Sequence, residues 1–291
     1  MVGIDLAAGP TQGEGSGVAE WRLADVSDPT GIAAALEGVE LVVHTAAYVR
    51  EWGEMEEFIR VNVLGTVNVL DAAGAAGAER VIHLSSVVVY GYEDEGEQDE
   101  SAFRRSVGIP YIDTKTASDR IAIRRGAVVI RPGDVYGPGS TPWLLRPVEL
   151  SRSGQLALPG RGEGTMLPLY IDDLTEAIVL ALRRGVPGRA YTVWDGEPVS
   201  FHDYFTRIAE LAGGRPPRTA PRPLLVAMAT ATELIARLRG RPPAFGRHGI
   251  TVVDRNGTAS NRRAREELGW EPKVDLDEGL RRCAKSLRTS G

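Results

Sequence analysis

Through its first two-thirds the chain alternates short apolar runs with helix-length segments, and few folds accommodate that pattern. Residues 2–6, 21–26, 41–44, 81–84 and 127–130 read as strands. Helical patterns fill about 54–76 and 111–125, and Asp28 is placed to cap a helix opening at Pro29. Strands separated by helices build a parallel, doubly wound α/β sheet. Runs that are apolar throughout fit strands covered on both faces. Residues 7–19, rich in glycine and small side chains, read as a loop.

Tyr111 and Lys115 stand four residues apart, one helical turn, so both project from one face. A free tyrosine, with a pKa of about 10, is a poor acid–base group at neutral pH. A nearby ammonium favours the phenolate and lowers that value. Ser85 and Ser86 end the run at 81–84, where a hydroxyl can hold a substrate oxygen while the phenol exchanges its proton. The chain has 3 Lys against 31 Arg, so a lysine at this position stands out. A guanidinium would not replace a compact ammonium there. The combination suits oxidation of an alcohol or reduction of a ketone.

At 291 residues the chain can form one large α/β domain or a domain with a smaller lobe. Net charge of −5 argues against general nucleic-acid binding. The lone Cys283 excludes an internal disulfide framework and fits a reducing cytoplasm. No apolar run approaches the roughly 18 residues of a membrane span, and the first residues do not resemble a signal peptide.

The last third changes character. Residues 172–184 form an amphipathic helical pattern, with Asp172 and Asp173 reading as helix-start carboxylates. Residues 215–248 are Pro-rich and basic, with Glu233 the only acid. Within them 224–238 reads as an apolar helix. One reading is a lid or core helix in a substrate lobe; the other is a surface that admits a greasy substrate or makes weak contact with a membrane.

Taken together, the motifs spell out a family. They run Asp25-Val26, His44-Thr45-Ala46-Ala47, the stretch from Val61 to Leu70, and Leu84-Ser85-Ser86 through Tyr90-Gly91. Tyr111-x-x-x-Lys115 follows, then Arg131-Pro132-Gly133-Asp134 through Gly139, and Ala264 through Pro272. Their order and spacing resemble the extended short-chain dehydrogenase/reductases, the NAD-dependent epimerase/dehydratase group, over almost the whole chain. The resemblance implies a Rossmann-like sheet in residues 1–165, with 166–195 returning to it, and a substrate-binding lobe at 196–291. It implies that Tyr111 is the general acid/base, that Lys115 holds the nicotinamide ribose and lowers the tyrosine pKa, that Ser86 is the catalytic hydroxyl, and that Asn62 supports the site. It places Thr45, Ala46 and Ala47 along the cofactor, Asp25 and Val26 along the adenine, and Gly133 near the nicotinamide. Asp5 would accept from the adenosine ribose hydroxyls, which favours NAD over NADP. A homodimer is common among such proteins.

The resemblance also defines what is absent. The family's first strand, T-G-x-x-G-x-x-G turn and helix are not found, and that turn is the main grip on pyrophosphate. The glycines at 13, 15 and 17 precede a strand rather than a helix and do not substitute for it. Either the start is placed late, with Met1 internal to a longer protein, or the chain is truly shortened. For substrate, the nucleotide-sugar branch usually has Asn where Asp134 stands and Arg where Met166 stands, and the loop 93–100 is acidic. These changes disfavour a diphosphate. The segment from Ala46 to Gly53 and the apolar helix at 224–238 look like the 3β-hydroxysteroid dehydrogenase branch. That implies hydride transfer between NAD and a secondary alcohol or ketone on a steroid- or terpenoid-like skeleton. A nucleotide-sugar epimerase or dehydratase is the alternative, and a non-enzymatic family member the third reading.

Overall fold

The computed structural model describes residues 1–7, 20–50, 52–91, 96–102, 106–239 and 246–289. Most of the loop at 7–19, including its glycine cluster, and residues 93–95 of the acidic loop at 93–100 lie outside the described residues. Four strands form the central sheet: β3 (Leu41–His44), β4 (Arg80–Leu84), β5 (Val128–Pro132) and β6 (Ala190–Val193). Their order is β6-β5-β4-β3, all parallel. β1 (Val2–Asp5) and β2 (Glu20–Leu23) pair with each other, also in parallel. Among the described residues no ladder joins β1 to β3, so the doubly wound sheet is split where the family's first strand would run.

Helices cover the sheet on two faces. On one lie α1 (Pro29–Ala35), α3 (Gly65–Ala75) and α4 (Pro110–Arg124). Asp28 caps α1 as its sequence position implies, its carboxylate accepting from the Thr30 N–H at 3.0 Å. Ile32, Leu36, Val42, Val69 and Ala73 close a core that β1 joins through Ile4 and the turn after β2 through Ala24 and Val26. Gly65 admits Val26, because a Cβ there would lie 2.7 Å from a Val26 methyl. The other face is covered by α6 (Ile171–Arg184), whose Leu174, Ala177 and Ala181 pack on Ile82, Val128 and Ile130. That cover stops short of β3, so Leu41 and Val43 stay 47% and 38% exposed while Val42 and His44 turn inward. β3 therefore departs from the two-sided burial expected of it.

The long helix expected at 54–76 is a composite. α2 (Met55–Phe58) runs into a π-helical turn, Ile59–Leu64, and then into α3. The second core joins Tyr136, Leu158, Met166 and Tyr170 to Phe201, Tyr204 and Ile208 of α7 (Phe201–Ala212) and to Leu280 and Cys283 of α10 (Leu276–Thr289). It thus draws on residues well before 166. α5 (Arg146–Ser153) packs on α7, and α8 (Arg222–Arg239) and α9 (Arg247–Val253) form the rest of the lobe. Asp173 does not cap its own helix. Its carboxylate takes the N–H groups of Lys273 and Val274 at 3.1 and 3.0 Å, tying the C-terminal segment to α6.

Candidate active site

The carboxyl ends of parallel strands, where loops leave the sheet, are the usual seat of ligands in open α/β folds. Here β3 leads to Thr45, Ala46 and Ala47, β4 to Ser85 and Ser86, and β5 to Gly133. α4 brings in the tyrosine and lysine. Ile109 is extended and Pro110 takes the first helical position, so the helix opens one residue before Tyr111. In its first turn Asp113 accepts from the N–H groups of Val107 and Gly108 at 2.8 and 3.0 Å, fixing the loop beside Tyr111. Further along, Asp119 receives the fork of Arg131 at 2.9 and 2.7 Å. Both are buried, and this bidentate pair locks α4 to β5.

Lys115 is buried and donates from Nζ to the Leu84 carbonyl at 2.6 Å, which sets the ammonium at the end of β4. Burial pulls its pKa down to about 8 against the opposing charge of Asp119. Tyr111 is half-buried, and its phenol is pushed up to about 12 by burial, with the Asp134 carboxylate adding to the effect. This corrects the expectation that Lys115 lowers the tyrosine pKa. The ammonium is engaged by a backbone carbonyl, and desolvation disfavours the phenolate.

Asn62 falls inside the π-helical turn, which is a frequent device at functional sites. Its Oδ1 accepts from the Tyr48 N–H at 2.6 Å, and its Nδ2 donates to the Thr114 hydroxyl at 3.1 Å and to the Tyr48 carbonyl at 3.3 Å. One buried amide thus ties the loop after β3 to the turn of α4 between Tyr111 and Lys115. Replacing Asn62 with Ala should lower stability by about 1–3 kcal/mol, because buried groups lose their partners. Urea unfolding at pH 7 measures this, and a change below 0.5 kcal/mol would contradict the tie. Ser86 caps the short turn Val87–Tyr90 through the Val88 N–H at 3.3 Å, whereas the buried Ser85 hydroxyl has no partner among the described residues.

Tyr111 opens onto a cavity of about 550 Å³. Trp52, Phe58, Val107, Val226 and Ile250 supply its apolar wall. The Arg247–Glu233 pair also lines it, at 2.8 Å, and Arg50 stands at its edge. From α9, His248 presents its ring edge-on to Tyr111, centroid to centroid 6.2 Å, and its Nδ1 is buried without a partner among the described residues. Sequence reading missed His248. Asp134 and Met166 are both buried and lie outside this cavity. Asp134 is neutralised by Arg255 and accepts from the Leu167 N–H at 2.9 Å. The expected repulsion between Asp134 and a diphosphate is therefore not a property of the fold.

The sequence matches the NAD dependent epimerase/dehydratase family over residues 5–193. It is also 30% identical over 287 residues to 2-alkyl-3-oxoalkanoate reductase of Stenotrophomonas maltophilia, covering 90% of this chain and 84% of that one. The chain belongs to this NAD-dependent family. Another member, 3beta-hydroxysteroid-dehydrogenase/decarboxylase isoform 1 of Arabidopsis thaliana, is 28% identical over 94% of this chain and 67% of its own. Among solved structures, MoeE5 in complex with UDP-glucose and NAD superposes with a TM-score of 0.76 at 25% identity, covering 99% of this chain and 90% of that one.

NAD is the family's cofactor, and the residues present fit one end of it. Lys115 keeps donors beyond the one given to Leu84, Ser85 offers an unused hydroxyl, and Thr45 and Ala46 are exposed at the end of β3. Gly133 has no room for a side chain: a Cβ would lie 2.3 Å from the Leu167 carbonyl oxygen. The residues expected at the adenosine end are held by local hydrogen bonds. Asp5 is exposed, its carboxylate taken by the Leu6 N–H at 2.6 Å, and its carbonyl accepts from Ala24 beside Asp25. Asp25 accepts from the Ser27 N–H at 2.7 Å, which holds its pKa down, and the Val26 carbonyl accepts from Asn68 at 2.9 Å. Among the described residues no glycine turn opens a helix toward a pyrophosphate.

Proposed function

We propose that the protein is an NAD-dependent oxidoreductase that interconverts a ketone and a secondary alcohol on a hydrophobic skeleton. The observation that carries this is the cavity onto which Tyr111 opens, whose wall holds Trp52, Phe58, Val226 and Ile250 beside the charged Arg50, Glu233 and Arg247. A volume of about 550 Å³ suits a small multi-ring or branched-chain substrate. The Arabidopsis and Stenotrophomonas relatives support the reading, since their names describe a hydroxysteroid and an alkyl-chain keto acid.

In this mechanism the Tyr111 hydroxyl donates a proton to the carbonyl oxygen in reduction and recovers it in oxidation. NAD, when bound, supplies or accepts the hydride. Lys115 holds the ribose, and Ser86 orients the reacting oxygen with Ser85 beside it. Asn62 sets the distance between the Tyr48 loop and α4. A phenol that stays protonated through neutral pH is a competent acid for ketone reduction. His248, neutral because burial pulls its pKa down to about 4, offers a hydrogen bond to substrate next to Tyr111.

A second reading concerns substrate charge. Arg50 lies 5.7 Å from the Tyr48 ring centre and forms no ion pair among the described residues. It is placed to meet the carboxylate of a 3-oxo acid such as the Stenotrophomonas enzyme's name describes. The test is NAD(H) turnover, followed at 340 nm, with cyclic secondary alcohols, alicyclic ketones and 2-alkyl-3-oxoalkanoates, alongside calorimetry with UDP- and dTDP-sugars. Turnover of the first groups without sugar-nucleotide binding is expected. Tight sugar-nucleotide binding with no alcohol or ketone turnover would overturn the proposal and favour the epimerase or dehydratase alternative.

A further inference from the structure

Helix α8 has a second face that the site does not use. It seats in the lobe through Leu225, Ala229 and Ala236, with Ile250 of α9 against the first two. Val226 and Glu233 turn toward the cavity. Leu224, Met228, Ala231, Ile235 and Leu238 lie on the outer side, at successive spacings of four and three that form one straight stripe. Leu224, Met228 and Ile235 are 52%, 53% and 46% exposed, and Leu238 is 81% exposed. Leu234 widens the stripe. Between Arg222 and Arg237 the helix carries a single charge, Glu233, which faces inward and is held by Arg247 at 2.8 Å.

The segment that carries this stripe is strongly one-signed in sequence, with Arg222 and Arg247 held by Asp254 and Glu233. Residues 215–248 contain seven arginines and one glutamate in a chain whose net charge is −5. An exposed apolar helix face with an exposed guanidinium, Arg239, at its C-terminal end, in an arginine-rich segment, has the composition of an interfacial helix, with side chains sinking into the acyl boundary and cations meeting lipid phosphates. A two-fold contact between copies would set this arginine-rich region against itself, which like-charge repulsion opposes. No helix among the described residues is long and apolar enough to cross a membrane.

We infer that α8 docks the protein on an anionic lipid surface, its apolar stripe at the acyl boundary and its arginines at the headgroups. The cavity lies against the opposite side of the same helix, so docking sets its mouth beside the membrane. That consequence for substrate entry rests on the proposed function, whereas lipid binding itself does not.

Flotation of the full chain with phosphatidylcholine vesicles, with and without 30 mol% phosphatidylglycerol, tests the inference. Partitioning should be at least about tenfold stronger on the anionic vesicles, since each surface cation contributes on the order of 1 kcal/mol. It should weaken in 0.5 M salt. Met228→Glu/Ile235→Glu should lose about tenfold or more with an unchanged melting temperature, because both positions are exposed, and Arg239→Glu should lose a smaller factor. Absence of binding to anionic vesicles, or equal binding by the double variant, would overturn it. So would a concentration-dependent dimer in light scattering that the double variant dissolves, which would assign the face to a second copy. Lipid binding without turnover leaves this inference standing and removes the proposed function; turnover without lipid binding does the reverse.

Discussion

Tyr111→Phe should abolish turnover while leaving the fold intact. Among the described residues the Tyr111 hydroxyl has no hydrogen-bond partner, so removing it forfeits no internal bond. The ring keeps its edge contact with His248. Thermal stability should stay within the small range typical of substitutions that break no buried interaction. Turnover should fall by roughly 10² to 10⁴, the usual worth of a positioned proton donor. Lys115 adds a pH signature. With the phenol near 12 and the ammonium near 8, wild-type ketone reduction should hold level below pH 8 and decline above it as Lys115 loses its charge. Alcohol oxidation needs the phenolate and should keep rising through the same range. Steady-state rates from pH 6 to 10 in both directions check this. A Phe variant retaining a third or more of wild-type turnover would remove Tyr111 from the chemistry.

Local chemistry was legible in the sequence, and long-range pairing was not. Tyr111 and Lys115 share a helix face because four residues make one turn, which spacing alone reveals. The strands at 41–44 and 81–84 were legible as uninterrupted apolar runs. β6 was missed because Ala190–Val193 is a four-residue run that includes Thr192, with no alternation to distinguish it from a loop. The charge of Asp134 was misjudged because its partner, Arg255, is 121 residues away and nothing local announces the pair. His248 was hidden for the same reason, reaching Tyr111 from a different lobe. A basic, Pro-rich segment with one histidine is a weak signal until α9 is seen to turn it inward. The pKa of Tyr111 was misjudged because spacing gives proximity to Lys115 but not the Leu84 carbonyl that captures the ammonium.

Acid should unfold the protein earlier than its carboxylates alone would dictate. His44 and His83 face each other across β3 and β4, with ring centroids 5.3 Å apart, and both are buried. His44 bonds the Thr66 hydroxyl at 3.1 Å, whereas neither His83 nitrogen has a partner. Burial, with the charge of Lys115 adding, pulls His44 down to about 4 and His83 well below its ordinary value. A histidine depressed in the folded state binds no proton there while the unfolded chain takes one up below its ordinary pKa of about 6.5, so stability is lost as pH falls from 6.5 toward 4. At pH 5 His44, with its pKa near 4, therefore costs about 2 kcal/mol relative to neutral pH, and His83 works in the same direction. Asp195, raised to about 7 by burial, works in the opposite direction over the same interval, since its folded form takes up a proton first. The net slope is thus smaller than the sum over histidines, and a variant isolates one contribution. His83→Leu replaces a ring with no partners by an apolar side chain. At pH 7 it should be neutral or stabilising, and the stability lost between pH 7 and 5 should be smaller than in the wild type. Urea unfolding of both proteins at the two pH values measures it. Parallel losses in wild type and variant would mean that the His83 imidazole takes up its proton in the folded protein, with room at the β3–β4 face for a charge that this packing does not provide.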